Sequence, residues 1–289
     1  MRDYFSLVTF SHTIFALPFA LLGFTLAVVQ PAYQFEWTDL LLVIGCMVFA
    51  RSAAMGFNRL VDRKIDLANE RTASRDIPAG KISPNRAKVF VAINAAFFIA
   101  CAGLLNTLCL MLSPVALAVV LGYSYTKRFT WLCHLVLGLG LALAPVGAYV
   151  AITGKFDVLP VVYGIIVLFW VAGFDIIYAL QDEAFDREQE LNSIPTRFGG
   201  SRALALSRVL HFTCIALLTY ASWQLYRTYP EAQLVILLSW VLFAGALIYQ
   251  QSIVSVGNLS RIGRAFFTTN GVASIAYATL VIGGIVYLG

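Results

Sequence analysis

Two stretches of this sequence concentrate acidic residues in a chain that is otherwise largely apolar. The first stretch covers residues 58–81 and the second covers residues 175–199, and together they hold ten of the 15 Asp and Glu residues. The ten acids are Asp62, Asp66, Glu70, Asp76, Asp175, Asp182, Glu183, Asp186, Glu188 and Glu190. Acids clustered in this way in an apolar chain indicate two parts of a functional site.

The spacing within the two stretches places carboxylates on a common helical face. Asn58, Asp62 and Asp66 recur every four residues, and a step of four residues drifts by only about 40° around an α-helix. Asp182 and Asp186 repeat the same step in the second stretch. Because like charges four residues apart destabilise a helix, we expect a cation to compensate them.

The chemistry that fits these carboxylates is Mg²⁺ binding together with a phosphate-bearing substrate. Mg²⁺ typically takes one or two carboxylates plus substrate phosphates and waters, so two facing carboxylate pairs would bridge through metal ions to a diphosphate. Basic residues in or beside the stretches would bind the remaining phosphate oxygens, for which Arg has a bidentate fork. They are Arg51, Arg59, Arg63, Arg71, Arg75, Lys127 and Arg128. The alternative is two solvated loops with local salt bridges, such as Asp62 with Arg59 or Lys64.

Membrane-spanning helices are the elements that must position these residues. The chain of 289 residues is 60% hydrophobic and 12% charged, against roughly 25% charged residues in a soluble domain. Its apolar runs match the roughly 20 residues that cross a bilayer as a helix, and they lack the alternation of a membrane barrel. The sequence predicts an all-α membrane protein, a single domain over residues 1–289 with nine transmembrane helices in one bundle. The predicted spans are 10–30, 38–57, 87–106, 109–124, 131–153, 158–180, 203–226, 231–251 and 267–288.

The basic residues predict the orientation of the bundle. With a cytoplasmic N-terminus, 18 of the 20 Lys and Arg residues lie on the cytoplasmic side, and only Lys155 and Arg227 lie on the other. This asymmetry follows the positive-inside rule. We therefore expect both acidic stretches at the cytoplasmic face of the inner membrane. The same rule explains the net charge of +5 without nucleic acid as a partner.

Asp175 differs from the other acids because it lies inside the predicted sixth span. A carboxylate at membrane depth is a functional candidate by default. The five Cys residues have no metal-ligand spacing and are interpreted as packing residues. His12, His134 and His211 are all interpreted as interfacial or packing residues, and His12 is the first candidate for an exception.

At these residues the sequence resembles the UbiA superfamily of intramembrane aromatic prenyltransferases. The first family signature is matched by Arg51, Gly56, Asn58, Asp62, Asp66, Arg71, Thr72, Arg75, Gly80, Ile82 and Ser83. The second is matched by Asp175, Tyr178, Ala179, Asp182, Asp186, Ser193, Phe198 and Gly199. GYSYTKRFTWL, with Lys127 and Arg128, is similar to the family's tyrosine-lysine-arginine segment, and HTIFALPFALLG is similar to its first helix. The ending SIPTRFG resembles the subgroup linked to menaquinone made by the futalosine route, and Arg59 departs from the Asp of many members.

This resemblance implies a bundle of nine helices around a central cavity that two Asp-rich loops cap and that opens laterally to lipid. The family transfers a prenyl group from a polyprenyl diphosphate to an acceptor that is usually aromatic. The residues implied to hold Mg²⁺ and diphosphate are Asn58, Asp62, Asp66, Asp182 and Asp186. Those implied to contact diphosphate or an acceptor carboxylate are Arg63, Lys127 and Arg128.

We therefore expect transfer to an aromatic carboxylic acid of the 4-hydroxybenzoate type in ubiquinone or menaquinone biosynthesis. A dry cavity would protect the allylic cation from water, and Tyr123, Tyr125 and Tyr178 would stabilise it through their ring faces. Asp175 would orient the acceptor or accept a proton. Dihydroxynaphthoate, homogentisate, a porphyrin of haem synthesis and a phospholipid precursor are alternative acceptors. A secondary transporter is the alternative from another class, because buried acids and basic loops also fit one.

Overall fold

The computed structural model describes residues 13–289, and its regular elements over this range are helices. We number the α-helices in chain order: α1 Thr13–Val28, α2 Trp37–Val61, α3 Arg63–Ala68, α4 Pro84–Leu105, α5 Thr107–Thr126, α6 Cys133–Thr153, α7 Val158–Ala179, α8 Glu183–Glu188, α9 Ile194–Phe198, α10 Gly200–Thr228, α11 Gln233–Ser252 and α12 Asn270–Leu288. Short 3-10 helices at Leu180–Asp182 and Pro230–Ala232 and a π-helix at Arg264–Thr269 join them. The predicted all-α class is confirmed.

Eight helical segments within residues 13–289 are long and apolar enough to cross a membrane. They confirm a membrane protein with many spans, and they begin with α2. The helix α1 is also apolar but has 16 residues, and the start of the predicted first span, with His12, lies outside the described residues. The count of nine spans and the cytoplasmic N-terminus therefore stay predictions.

A single residue, Asn106, separates α4 from α5. Its backbone is extended, with φ −165° and ψ 168°, and its side-chain oxygen accepts the N–H of Cys109 at 2.9 Å, which caps α5. The Asn106 amide donates to the carbonyl oxygens of Val150 and Ala151, both at 2.9 Å. Backbone groups in a membrane must be satisfied within the protein, so one Asn is enough to end one helix and begin the next.

One half of the bundle is densely packed around α7. In the membrane-crossing segment that contains α7, 61% of the apolar stretch is buried. The helix α7 packs against α6 and α10. Trp170 lies at the centre, with the ring of Phe19 at 5.5 Å and that of Phe243 at 5.4 Å. Its indole N–H donates to Asn270 of α12 at 2.9 Å, so this aromatic core has its buried polar group satisfied.

The other half of the bundle encloses a cavity of about 610 Å³. The cavity lies between α2, α4 and α5 on one side and α6 and α7 on the other. In α4 only 11% of the apolar stretch is buried, and in α5 only 17%. Such low burial is typical of helices that face lipid. The cavity reaches Phe156 at one end. At its other end, which we call the loop end, lie a first acidic loop (residues 62–83) and a second acidic loop (residues 180–199).

The acid-bearing helices do not run straight into their loops, which corrects the expectation that Asn58, Asp62 and Asp66 share the face of one helix. The helix α2 ends at Val61, Asp62 has φ −85° and ψ 1°, and α3 then begins. The helix α7 is interrupted in the same way, and Asp182 has φ −104° and ψ 2° before α8 begins. In each case the break falls at the first acid of an i, i+4 pair, where like charges disfavour a continuous helix.

Candidate active site

The loop end of the cavity brings together acids and cations from four parts of the chain. The acids that line the cavity are Asp62, Asp66, Asp182 and Asp186 at this end and Asp175 deeper inside. The cations that line the cavity are Arg59, Arg71, Arg75 and Lys127, with Arg51 deeper inside. Asn58 and Tyr178 also line the cavity. Most of the residues predicted from the sequence to form a site therefore face one space.

In the first acidic loop, Asp62 and Asp66 have different surroundings. Asp62 accepts the amide of Asn58 at 2.9 Å and the guanidinium of Arg128 at 2.8 Å. Burial raises the pKa of Asp62, and the hydrogen bond and charge of Arg128 offset only part of this rise. Asp66 is buried and its Oδ1 accepts from Arg75 at 2.5 Å. Its Oδ2 is buried too and has no hydrogen-bond partner among the described residues.

Arg71 connects the two acidic loops. From the first loop it donates through Nε to Asp182 Oδ1 at 3.1 Å and through Nη2 to Oδ2 at 2.6 Å, a bidentate pair of the kind that Arg forms with carboxylates. Its Nη1 donates to the hydroxyl of Tyr178 at 3.2 Å, and Asn69 donates to Asp182 at 3.4 Å. Burial acts to lower the pKa of Arg71, but the hydrogen bonds and charge of Asp182 outweigh burial and raise it.

Asp186 takes its cation from the connection between α5 and α6. Lys127 Nζ donates to Asp186 Oδ2 at 3.1 Å, and the Lys127 carbonyl accepts the N–H of Asn192 at 2.7 Å. Burial acts to lower the pKa of Lys127, but the surrounding charges, with that of Asp186 the largest, together outweigh burial and raise it. The neighbouring Arg187 pairs instead with Glu183 at 2.9 Å, and 61% of its side chain is exposed.

Asp175 lies deeper in the cavity and contacts His134, a residue that sequence reasoning assigned to packing. The two side chains meet at 2.7 Å between Asp175 Oδ2 and His134 Nδ1. No periodicity links them, because they are 41 residues apart on different helices. Asn69 was also missed, although its place three residues after Asp66 within the first stretch was a usable signal.

Three predicted substrate-binding residues do not line the cavity: Arg63, Tyr125 and Arg128. Arg63 donates to the carbonyl of Leu60 at 2.8 Å, where it satisfies the end of α2. Tyr125 is 45% exposed and its ring centre lies 5.6 Å from the Arg128 guanidinium. At about 100° per residue, Tyr125 faces almost opposite to Tyr123 and Lys127, which do line the cavity. This geometry does not support direct substrate binding by Arg63 or Tyr125.

The donor set suits a hard divalent cation that shares its ligands with a phosphate group. No cluster of three or more His, Cys, Asp or Glu side chains within residues 13–289 could enclose a metal ion. Mg²⁺ does not require such a cage, because it keeps waters and takes only one or two carboxylates beside substrate phosphates. The buried Oδ2 of Asp66 supplies a carboxylate oxygen of this kind. The residues present therefore fit Mg²⁺ bound together with a diphosphate.

The sequence profile of the UbiA prenyltransferase family matches residues 16–272. The chain belongs to the UbiA prenyltransferase family. It is also 30% identical over 247 residues to the 4-hydroxybenzoate octaprenyltransferase of Tolumonas auensis, a match that covers 84% of this chain and 84% of that protein. The predicted family and the predicted enzyme class, a prenyltransferase, are confirmed, and the transporter alternative has no support.

Solved structures share the fold. An apo structure of a UbiA homolog from Aeropyrum pernix K1 has 35% sequence identity and a TM-score of 0.81, and the match covers 95% of this chain and 97% of that one. A UbiA homolog from Archaeoglobus fulgidus, bound to DMAPP and Mg²⁺, has 21% identity and a TM-score of 0.77 over 99% of this chain and 100% of that one. At 21% identity the second comparison supports the fold alone.

Proposed function

We propose that this UbiA-family enzyme transfers a polyprenyl group from a polyprenyl diphosphate to an aromatic carboxylic acid of the 4-hydroxybenzoate type, with Mg²⁺, in respiratory quinone biosynthesis. The observation that carries this proposal is the division of one cavity. Carboxylates and cations line its loop end, and mostly apolar side chains line the rest of its 610 Å³. A polyprenyl diphosphate has the same division, with a charged head and a long hydrocarbon tail.

The diphosphate would bind between the two acidic loops. Asn58, Asp62, Asp66, Asp182 and Asp186 would hold Mg²⁺, which supplies positive charge that stabilises the departing diphosphate. Arg71, Arg75 and Lys127 line the same end of the cavity and would bind phosphate oxygens directly. Arg128 would act through Asp62, to which it donates at 2.8 Å. The Mg²⁺ bound by the Archaeoglobus fulgidus homolog is consistent with this assignment.

The acceptor would bind deeper, between Arg51 and Asp175. Arg51 precedes Asn58 by seven residues, so it lies about 10 Å further along α2 and still lines the cavity. Its guanidinium would bind the acceptor carboxylate. Asp175 lines the cavity as well and exposes 21% of its side chain. The name of the Tolumonas auensis relative supports a 4-hydroxybenzoate-type acceptor.

In the reaction, the bond between the first prenyl carbon and the diphosphate oxygen breaks, and the bonding electrons leave with the diphosphate. The apolar wall keeps water from the allylic cation, and the ring faces of Tyr123 and Tyr178, which line the cavity, stabilise it. The electron-rich ring carbon of the acceptor then forms the new carbon–carbon bond. The proton displaced from that ring carbon passes to Asp175.

The charge asymmetry supports a location in the inner membrane with the acidic loops on the cytoplasmic side. Eighteen of the 20 basic residues lie on that side of the predicted topology, as the positive-inside rule requires. A cysteine placed in either loop of a cysteine-free variant should then react with a membrane-impermeant thiol reagent in inverted vesicles only. Labelling in intact spheroplasts instead would show that the loops lie on the opposite side of the membrane.

The direct test is turnover by the purified protein in lipid nanodiscs. It is given Mg²⁺, a long-chain prenyl diphosphate and one candidate acceptor at a time: 4-hydroxybenzoate, a futalosine-route aromatic acid, dihydroxynaphthoate, homogentisate or haem. Release of diphosphate should accompany prenylation of an aromatic acid and should stop when EDTA removes the metal. If only a non-acidic acceptor were prenylated, the proposal of an aromatic carboxylic acid as the acceptor would be wrong.

Two acid variants test the assignment of the loops. Asp62→Ala and Asp182→Ala remove one carboxylate from each loop, whereas Glu188→Gln changes an exposed acid of the second loop and serves as the matched control. The alanine variants should lose turnover and the control should keep it. Full turnover in Asp62→Ala and Asp182→Ala would show that neither carboxylate is needed to bind Mg²⁺. It would also exclude diphosphate binding through a metal ion at these two residues.

A further inference from the structure

We infer that His134 is a positioning residue that holds Asp175 toward the acceptor, and that helix α9 fixes the tautomer in which it does so. The inference rests on the role proposed above for Asp175 and assigns a task to a histidine that the reaction scheme leaves unused. It also gives a task to the segment SIPTRFG, residues 193–199, which contains α9.

Both ring nitrogens of His134 have partners. Nδ1 lies 2.7 Å from Asp175 Oδ2, and Nε2 lies 3.3 Å from the backbone nitrogen of Ile194, whose N–H points at it. The His134 side chain has no exposed surface, whereas the Asp175 side chain is 21% exposed and lines the cavity. His134 also lines the cavity, so its buried imidazole lies beside the more exposed Asp175 carboxylate and contacts it directly.

The Ile194 contact decides where the imidazole proton lies. Ile194 is the first residue of α9, and the first amides of a helix have no intrahelical acceptor. Its N–H donates to His134 Nε2, and a ring nitrogen that accepts a hydrogen bond has no proton of its own. In a neutral imidazole the other nitrogen then holds the proton, so Nδ1–H donates to Asp175 Oδ2. That leaves Oδ1 of Asp175 for the proton of the acceptor.

The position of the Ile194 amide is itself fixed by a capping box. The backbone N–H of Ser193 donates to Thr196 Oγ1 at 2.8 Å, and the backbone N–H of Thr196 donates to Ser193 Oγ at 3.2 Å. Ser193 and Ile194 are buried, so little freedom remains at this turn. The second acidic loop therefore contacts His134 through a backbone amide, in addition to supplying Asp182 and Asp186.

The tautomer can be measured without turnover. The chain has three His residues, so the protein labelled with ¹⁵N-histidine in nanodiscs should give three imidazole spectra, and a His134→Asn sample identifies the one that disappears. We expect the ¹⁵N shifts of a neutral ring protonated at Nδ1. A ring protonated at Nε2, or at both nitrogens at neutral pH, would overturn the inference.

Kinetics test the positioning role. His134→Phe removes the donor to Asp175 and should lower kcat by about 10- to 100-fold, the range for losing a residue that orients a functional group, with KM for the prenyl diphosphate unchanged. His134→Asn puts an amide near the place of Nδ1 and should recover most of that kcat. The positioning role would be refuted if His134→Phe kept the kcat of the unmutated enzyme. It would also be refuted if His134→Asn were impaired as much as His134→Phe.

A second histidine provides the matched control. His211 is also buried but contacts the carbonyl of Trp170 and the amide of Gln251 and does not line the cavity. His211→Asn should keep the kcat of each folded molecule, whereas a loss equal to that of His134→Phe would attribute both effects to packing. Absence of prenyl transfer by the unmutated protein would overturn the proposed function alone, since the tautomer experiment would still decide this inference.

Discussion

The two acidic loops have the same plan but unequal charges. In each, a long helix ends, an Asp with ψ near 0° follows (Asp62 or Asp182), and a six-residue helix then places a second, buried Asp four residues later (Asp66 or Asp186). The first loop also carries cations for the site, Arg71 and Arg75. The cavity acids of the second loop depend on cations from elsewhere, because Arg71 pairs with Asp182 and Lys127 pairs with Asp186.

This difference shows that the site is assembled between the loops and is complete in neither. The first loop alone would have excess positive charge and the second excess negative charge, so each lowers the electrostatic cost of the other. Burial of a charge without a partner is costly, and Asp66 and Asp186 are both buried. The loops therefore stabilise one another when they meet over the cavity.

The largest expected effect tests whether the second, buried Asp has the same role in both loops. Asp66→Asn and Asp186→Asn change equivalent positions of the two loops, and each should lower kcat by about 10²- to 10³-fold, as removal of a group that stabilises developing charge does. Diphosphate release in nanodiscs measures this loss, with Glu188→Gln as the control. A large loss in only one of the two variants would mean that the loops are not functionally equivalent.

The next largest effect tests whether Arg71 of the first loop serves the site while Arg187 of the second loop does not. Arg71→Lys keeps the charge but cannot reproduce the two parallel hydrogen bonds to Asp182, and hydrogen bonds to charged groups contribute about 1.5–3 kcal/mol. We expect KM for the prenyl diphosphate to rise by about tenfold or more. Arg187→Lys is the matched change in the second loop, and it should leave KM unaltered because Arg187 pairs with Glu183 outside the cavity lining. Equal effects would contradict the comparison.

The helices beneath the loops should also differ in their tolerance of added volume. A Cβ at Gly173 of α7 would overlap the ring of His211, whereas a Cβ at Gly56 of α2 would lie 3.1 Å from side-chain atoms of Phe90 and Val91. Gly173→Ala should destabilise by about 1–3 kcal/mol through overpacking, and Gly56→Ala should cost less. Thermal unfolding in one detergent gives both values, and the reverse order would refute this account.

The smallest effect concerns the first loop and pH. Burial raises the pKa of Asp62, and the hydrogen bond and charge of Arg128 oppose that rise. The carboxylate form is needed for metal binding, so activity should fall as the pH drops through this raised pKa. Arg128→Gln removes the opposing effect and should move the acidic limb of the pH–rate profile to higher pH. A limb that stays in place would show that Arg128 does not tune Asp62.

The sequence was sufficient for the helices and for the cavity face of most polar residues, because periodicity and span length follow from the geometry of one helix. Arg51 and Asn58 of α2 face the cavity for this reason, whereas Asp62 and Asp66 face it across the break between α2 and α3. The pairing of Arg71 with Asp182 and of His134 with Asp175 was not predictable in this way. Those contacts join residues 111 and 41 positions apart, and their geometry depends on how separate helices pack.

The positions of Tyr125 and Arg63 outside the cavity lining have local causes. Tyr125 was grouped with Tyr123 because both lie in one motif, although two residues of helix reverse the direction of a side chain. Arg63 was assigned to substrate by its charge, but its place directly after the break at Asp62 commits it to the Leu60 carbonyl. Charge and proximity in sequence were insufficient at these positions, and the direction of each side chain was decisive.

The exposed part of the cavity wall has a consequence for how turnover should be measured. Val115 and Phe156 line the cavity, yet each exposes more than half of its surface on the apolar outside of the bundle. A tail that enters there arrives by lateral diffusion in the bilayer. The relevant concentration of such a substrate is then its mole fraction among the lipids, and adding inert phospholipid should slow the enzyme at a constant amount of substrate per litre.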